Sequence, residues 1–300
     1  MYENRRLIMI ETKELTKYYG KNARGIIDVN LDIREGEIFG FIGPNGAGKS
    51  TTVRTLLNLI FPSSGQGKIL DYDIVKDTVE IKKNVGYVPS EVHYYNDMVV
   101  EDFLKYSTDF YTSDYLEKMH ELAKKLELDL SRKVGDLSFG NKKKVAIVLA
   151  LVFQPKILIF DEPTSGLDPL IQSVFFDLLE KEKQRGATIF FSSHVLSDVQ
   201  KICDRVGIIK EGKLIKVENI EDIMKTKAKN VRIQSSDFNL SEDEHVVNLK
   251  KIKNSYHFTY KGNIQDLLNK IRTYQLEDIS ITEPSLEEIF MHYYNKEDKS

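Results

Sequence analysis

An α/β architecture of parallel strands and crossover helices is the fold class this 300-residue sequence predicts, on three observations. Short apolar runs bounded by Gly, Pro or charged residues alternate with helical patterns up to about residue 218. One such run, 38–42, leads through a glycine-rich turn into a helical stretch, 52–59. Another, 157–160, ends in two consecutive carboxylates, Asp161 and Glu162. Runs that are apolar throughout predict strands covered on both faces.

In chain order, residues 26–33 alternate apolar and polar side chains and read as an antiparallel edge strand. Segments 38–42, 157–160 and 188–192 read as buried strands. Phe103, Leu104, Phe110, Leu116, Met119, Leu122, Ala123 and Leu126 recur at helical spacing. They predict a small helical insertion, bounded at about 93–150. Segments 206–209 and 213–217 flank Glu211-Gly212, the pattern of a hairpin that closes the first domain. Beyond about residue 221 the texture changes to short exposed strands, 231–234 and 256–260, and an amphipathic helix, 264–271. Ser285 and Glu288 form a capping box for a last helix. The expected organisation is therefore a domain at 1–220 and a small α+β domain at 221–300.

Composition narrows the function. The chain is 41% hydrophobic and 30% charged, enough for a core and unlike a disordered chain. Its net charge of −3 offers no general basic field for nucleic acid. Cys203 stands alone, so neither an internal disulfide nor a cysteine metal cluster is expected. The longest apolar run, 145–153, is far short of the ~20 residues that span a bilayer. The N-terminal stretch carries Glu11 and Glu14 where a signal peptide needs apolar length. A cytoplasmic protein is expected, with any membrane role arising through a partner.

The chemistry sits in Gly43-Pro44-Asn45-Gly46-Ala47-Gly48-Lys49-Ser50, followed by Thr51, which matches the phosphate-loop pattern G-x-x-x-x-G-K-[ST]. Glycines let successive backbone N–H groups converge on phosphate oxygens with no Cβ in the way. The helix that follows adds the positive end of its dipole. Gly43, Asn45, Gly46, Ala47 and Gly48 form the cradle. Lys49 reaches the β- and γ-phosphates, and the Ser50 hydroxyl is placed to ligate Mg²⁺. Asp161 and Glu162 end a buried strand at the sheet edge where such a loop lies. Asp161 is expected to hold Mg²⁺, directly or through water, and Glu162 to polarise the attacking water.

Other motifs make a resemblance specific. Leu137-Ser138-Phe139-Gly140-Asn141 resembles the signature motif of ATP-binding cassette (ABC) proteins. Tyr19 resembles that family's adenine-stacking aromatic, with Tyr18 the competing residue. Ser165-Gly166-Leu167-Asp168 resembles its D-loop and His194 its switch histidine. These elements cover residues 12–218. The resemblance implies a P-loop NTPase core that binds and hydrolyses ATP with Mg²⁺. It also implies two cassettes, a homodimer or a pair of paralogues, sandwiching ATP. In that arrangement Ser138, Gly140 and Asn141 of one cassette complete the site of the other, His194 contacts the γ-phosphate, and Asp168 links the two sites.

By the same resemblance, the chain is expected to power a separate transmembrane permease subunit at the inner face of the cell membrane. The stretch Glu283-Pro284-Ser285-Leu286-Glu287-Glu288-Ile289-Phe290 resembles drug-, peptide- or lipid-exporting systems. Importers are the second transport reading. The alternative class is a soluble or regulatory ABC ATPase that acts on ribosomes or DNA, or gates a membrane protein without transport. The C-terminal domain fits dimer stabilisation, regulation of turnover or simple capping of the first domain.

The sequence also departs from the family pattern. Ser90, followed by Glu91, stands where the family has a Mg²⁺-ligating glutamine, and its hydroxyl is shorter by two carbons. Phe139 and Asn141 replace a usual glycine and glutamine. ATP binding and hydrolysis are expected to persist, with altered coupling to Mg²⁺. Lys142, Lys143 and Lys144 read as a solvated helix face, with added positive potential near the phosphates as the second reading. His93, Tyr94 and Tyr95 fit either a docking point for the membrane subunit or an ordinary surface loop.

Overall fold

The computed structural model describes residues 7–20, 24–92, 94–109, 115–224, 228–235, 238 and 243–284. It divides into two units, Met1–Glu218 and Asn219–Ser300. Elements of the first run β1 (Ile8–Tyr18), β2 (Arg24–Arg34), β3 (Ile38–Ile42), α1 (Lys49–Leu56), β4 (Ser64–Ile69), β5 (Tyr72–Asp73), α2 (Thr78–Asn84) and β6 (Val85–Val88). There follow α3 (Val100–Thr108), α4 (Leu116–Lys125), a 3₁₀ turn at Val134–Asp136, α5 (Phe139–Val152), β7 (Ile157–Asp161), α6 (Pro169–Gln184), β8 (Thr188–Ser193), α7 (Leu196–Ile202), β9 (Arg205–Lys210) and β10 (Lys213–Asn219).

The central six-stranded sheet has the order β10-β9-β3-β8-β7-β6. Pairs β9–β3, β3–β8, β8–β7 and β7–β6 are parallel. Strands β3, β7 and β8 are buried along their whole length, as strands with both faces covered must be. Phe190 of β8 packs its ring against Phe39 and Phe41 of β3, at centroid distances of 6.2 and 5.3 Å. A second sheet, β2-β1-β4-β5, is antiparallel and has β2 at its edge. Its inward face, with Ile10, Leu15, Ile26, Val29 and Ile33, shares one core with Phe39, Phe41 and Phe190.

Polar groups tie the two sheets together. Arg205 of β9 donates to Glu37 (3.0 Å), to the Asp32 carboxylate (3.2 Å) and to the Asp32 carbonyl (3.1 Å). Its guanidinium lies 5.6 Å from the Phe39 ring centroid. Burial pushes the Glu37 carboxyl pKa up, against the hydrogen bond from the Arg34 amide and the Arg205 charge.

The second unit comprises α8 (Ile220–Met224), β11 (Lys229–Gln234), β12 (Val246–Ile252), β13 (Ser255–Tyr260), α9 (Ile264–Ile271) and β14 (Asp278–Thr282). Its antiparallel sheet has the order β12-β13-β11-β14. Period-2 alternation turns Val231, Ile233, Phe258 and Tyr260 to one face, where Leu267 and Ile271 of α9 cover them. Asn263 caps α9 by accepting the Gln265 amide.

Helical spacing in the insertion corresponds to α3 and α4, with Phe103, Leu104, Met119, Leu122, Ala123 and Leu126 buried. Leu116 is exposed instead, at the first turn of α4. Phe110, His93 and the capping box at 285–288 lie outside the described residues. One expectation is overturned: Lys143 and Lys144 are buried rather than on a solvated face. Helix α5 packs against β6, α3 and α4, which bury Lys143 and Lys144 although Phe139 is exposed and Gly140, Asn141 and Lys142 are half-buried. Strand β4 escaped sequence reading because Ser64-Gly65-Gln66-Gly67 has turn composition; its conformation comes from pairing with β1, and the two-residue β5 pairs in turn with β4.

Arg205→Ala strips the guanidinium from buried Glu37 and is expected to cost about 3–5 kcal/mol. A fall in the urea midpoint checks this, and an unchanged midpoint counts against the network.

Candidate functional site

Strand register brings the predicted residues to one edge. Ile42, the last residue of β3, pairs with Ser193, and Asp161, the last of β7, pairs with Ser192. The loop beginning at Gly43, the pair Asp161–Glu162 and His194 therefore leave three adjacent parallel strands at the same level. Gly48 has φ 111° at the N-cap of α1, a left-handed conformation open to glycine, and Gly46 has φ 79°. Asn45 and Gly46 are exposed at the tip of the loop, whereas Ala47 is buried. Ser50 and Thr51 open α1, half-buried.

Lys49 is buried, and its Nζ donates to the carbonyls of Gly43 (2.7 Å) and Pro44 (3.1 Å). The same ammonium lies 3.2 Å from Glu162 Oε1. The other carboxylate oxygen, Oε2, is 3.0 Å from His194 Nδ1. Glu162 thus bridges Lys49 and His194. It does so from a left-handed backbone, φ 49°, which is uncommon for a residue with a side chain. Its amide is directed at the Ser192 carbonyl (3.2 Å). Asp161 Oδ1 accepts from Ser192 Oγ at 2.7 Å, while its Oδ2 is buried without a hydrogen-bond partner. An orphaned carboxylate oxygen at the same sheet edge as the phosphate loop fits a hard divalent cation that takes few protein ligands and completes its shell with phosphate and water.

Tyr19, just beyond β1, is 52% exposed, and its hydroxyl sits 3.3 Å from Thr51 Oγ1. Lys17 Nζ lies 5.9 Å from its ring centroid. Tyr18 is also exposed, with its amide bonded to Ser63.

The signature residues form a second cluster. Ser138 caps α5, its hydroxyl accepting the Asn141 amide at 3.3 Å. A Cβ on Gly140 would lie 2.2 Å from the Gly166 carbonyl, so the signature and the 165–168 turn meet at a contact only glycine permits. Asp168 caps α6 by accepting the Leu170 and Ile171 amides, and those bonds hold its pKa below the usual carboxylate range. Phe139 is half exposed beside Gly166.

Ser90 follows β6, which pairs with β7 so that Val88 lies opposite Phe160; the chain leaves β6 beside Asp161. The backbone carbonyls of Pro89 and Ser90 each accept from Lys143 Nζ at 2.8 Å. Burial pushes the Lys143 pKa down to about 8, against the opposing pull of Asp161 and Glu162. Burial and the charge of Asp161 push the Tyr87 phenol up to about 12. Tyr94 packs on Phe103 at 4.8 Å between centroids, whereas Tyr95 is exposed.

Sequence reasoning missed two groups here. Ser192 positions Asp161, and the signal was a pair of serines closing an otherwise apolar strand. Lys143 reaches this edge from α5, and the signal was a lysine triplet at the head of an apolar helix with no acid at i+4.

A phosphate loop at the end of a central parallel strand, flanked by strand-end carboxylates, defines a P-loop nucleotide-binding fold. Residues 26–165 match the ABC transporter family, and residues 219–294 match the C-terminal domain of the DrrA1-3-like ATP-binding proteins. The Bacitracin transport ATP-binding protein BcrA of Bacillus licheniformis is 35% identical over 235 residues, covering 77% of this chain and 76% of that protein. The structure of an ATP-binding subunit of an ABC transporter superposes with a TM-score of 0.67 at 29% identity, over 72% of this chain and 92% of that one. A dimeric ATP-binding cassette in a post-hydrolysis state, bound to ADP and Pi, superposes with a TM-score of 0.64 at 27% identity, over 71% and 99%. The chain belongs to the ABC transporter family as an ATP-binding protein, and its first domain is an ABC-type ATPase. No helix among the described residues is long and apolar enough to cross a membrane.

Ser192→Ala leaves both Asp161 oxygens buried and unpaired. It is expected to lower stability of the nucleotide-free chain by about 1–3 kcal/mol in urea unfolding; wild-type stability would show that the hydroxyl does not hold Asp161.

Proposed function

We propose that the chain powers an exporter of a drug, peptide or lipid, acting at the inner membrane face on a separate permease and closing against a second cassette around ATP. The observation that carries the hydrolytic part is Glu162, held between Lys49 and His194 at the end of β7. A transport role is supported by the likeness to a bacitracin transport protein, and export by the resemblance of the stretch 283–290 to exporting systems.

Entry of ATP gives the Lys49 ammonium a better partner than two carbonyls and one carboxylate. It turns to the β- and γ-phosphates, and the amides of Gly43, Asn45, Gly46, Ala47 and Gly48 converge on the phosphate oxygens. Thr51 flanks this cradle beside Tyr19, whose exposed ring offers a stacking face for adenine. The Ser50 hydroxyl and the free oxygen of Asp161 would hold Mg²⁺, with Ser90 near enough in the chain path to act through water; the ion would neutralise phosphate charge. Release from Lys49 leaves Glu162 to accept a proton from the attacking water. His194 stays bonded to Glu162 and contacts the γ-phosphate.

From the facing cassette, Ser138, Gly140 and Asn141 present the N-terminus of α5 to the same phosphate. Asp168, fixed by its cap, joins the two sites. Hydrolysis removes the γ-phosphate that holds the cassettes together. Tyr94 and Tyr95 stand near the helical insertion, where exposed Tyr95 suits docking on the permease.

Glu162→Gln is expected to keep ATP affinity, cut turnover by about 100-fold or more and trap an ATP-bound dimer on size exclusion. A monomer at saturating ATP would contradict the sandwich. Lys49→Ala is expected to weaken ATP binding by about 10- to 100-fold, read by titration calorimetry; unchanged affinity would remove Lys49 from the phosphate site. Tagged Glu162→Gln chain recovered from solubilised membranes with ATP is expected to bring a stoichiometric polytopic protein. Recovery of ribosomes or DNA instead would overturn the transporter reading.

A further inference from the structure

Lys143 is the charged group that the proposed reaction leaves unused. It is fully buried, on a helix enclosed by β6, α3 and α4, and no carboxylate is within ion-pair distance of it among the described residues. A buried ammonium in that position is strongly destabilising unless its donors are satisfied. Two donors go to the carbonyls of Pro89 and Ser90, both at 2.8 Å. Its charge also faces the ring of Phe139, 5.4 Å from the centroid. The Ser90 carbonyl and the Phe139 ring therefore meet at the same side chain.

The location matters as much as the bonds. Pro89 and Ser90 leave β6 next to the strand that ends in Asp161, and the charges of Asp161 and Glu162 are felt at the ammonium. Helix α5 begins with the signature residues one turn from Lys143. One cation thus joins the loop beside the hydrolytic carboxylates to the helix that carries the signature.

We infer that Lys143 is a positioning residue for ATP hydrolysis, its ammonium pinning the backbone of Pro89 and Ser90 to the start of α5 beside Asp161 and Glu162. This rests on the reading of those two carboxylates as the hydrolytic pair. A neutral side chain of the same length keeps the packing and loses the pin. The loop then loosens, and the alignment of Ser90 and the signature with the carboxylates is lost at the step of hydrolysis, after ATP has bound. A residue that merely filled space would change stability without separating kcat from KM.

The test compares the full chain with Lys143→Met and Glu162→Gln, by hydrogen exchange without nucleotide and by steady-state ATP hydrolysis. In Lys143→Met, the peptide covering 88–92 is expected to exchange about tenfold faster while the phosphate-loop peptide is unchanged. kcat is expected to fall about 10- to 100-fold, with KM for ATP within about threefold of wild type. Unchanged exchange at 88–92, an unchanged kcat, or a rise in KM that accounts for the whole loss overturns the inference. If Lys143→Met does not fold, Lys143→Gln, which keeps a donor without the charge, is read by the same criteria. Wild-type turnover in Glu162→Gln would instead overturn the reading of the carboxylates, whereas a dead Glu162→Gln beside an unaffected Lys143→Met overturns only the role of Lys143.

Discussion

The parallel pairing of β8 with β3 on one side and β7 on the other is the constraint on which the rest of the site depends. Ile42 opposite Ser193 and Asp161 opposite Ser192 bring three chain exits to one level at one sheet edge. A one-residue slip of β7 would turn Asp161 to the opposite face, and a slip on either side would carry Glu162 away from Lys49. Burial enforces that register: the strands are apolar on both faces, and Phe39, Phe41 and Phe190 interlock across the β3–β8 pair. The polar residues at the strand ends are therefore delivered by the core.

With the register set, the unpaired charges explain one another. Lys49 is nearly inaccessible and cannot stay unsatisfied, so it takes two loop carbonyls and Glu162. Glu162 in turn needs a partner for its second oxygen, which His194 supplies. The outcome is a chain of three titratable groups beside the phosphate loop, centred on a glutamate with a left-handed backbone. In the proposed reaction a triphosphate competes for the lysine at one end of this chain, and the carboxylate is freed when the phosphates arrive.

Signature and D-loop segments obey a different economy of contacts. Ser138 and Asp168 spend their side chains on capping α5 and α6, and Gly140 and Gly166 pass too close for any Cβ. Both helix starts are thereby held rigid and face outward together. In the proposed sandwich, that preparation suits a surface completed by a second cassette. Lys143 adds a connection between this surface and the loop after β6.

Much of this was legible in the sequence because it depends on local chemistry. The phosphate loop announces itself through glycines that its backbone conformation requires, and runs such as 38–42 and 157–160 are apolar because both faces are covered. The helix at 264–271 was readable from its amphipathic period. What the tertiary structure alone decided concerns partners distant in sequence. The turn-like composition of 64–67 becomes a strand only because β1 supplies the hydrogen bonds. Ser192 matters only because β8 lies beside β7, and Arg205 because β9 lies over Glu37 and Asp32. Lys143, one of three lysines that look alike in a row, is buried because α3, α4 and β6 close around its helix. Period and composition report what a residue needs from its neighbours along the chain; which distant group meets that need is set by packing, where a buried charge has to find a partner or the fold does not form.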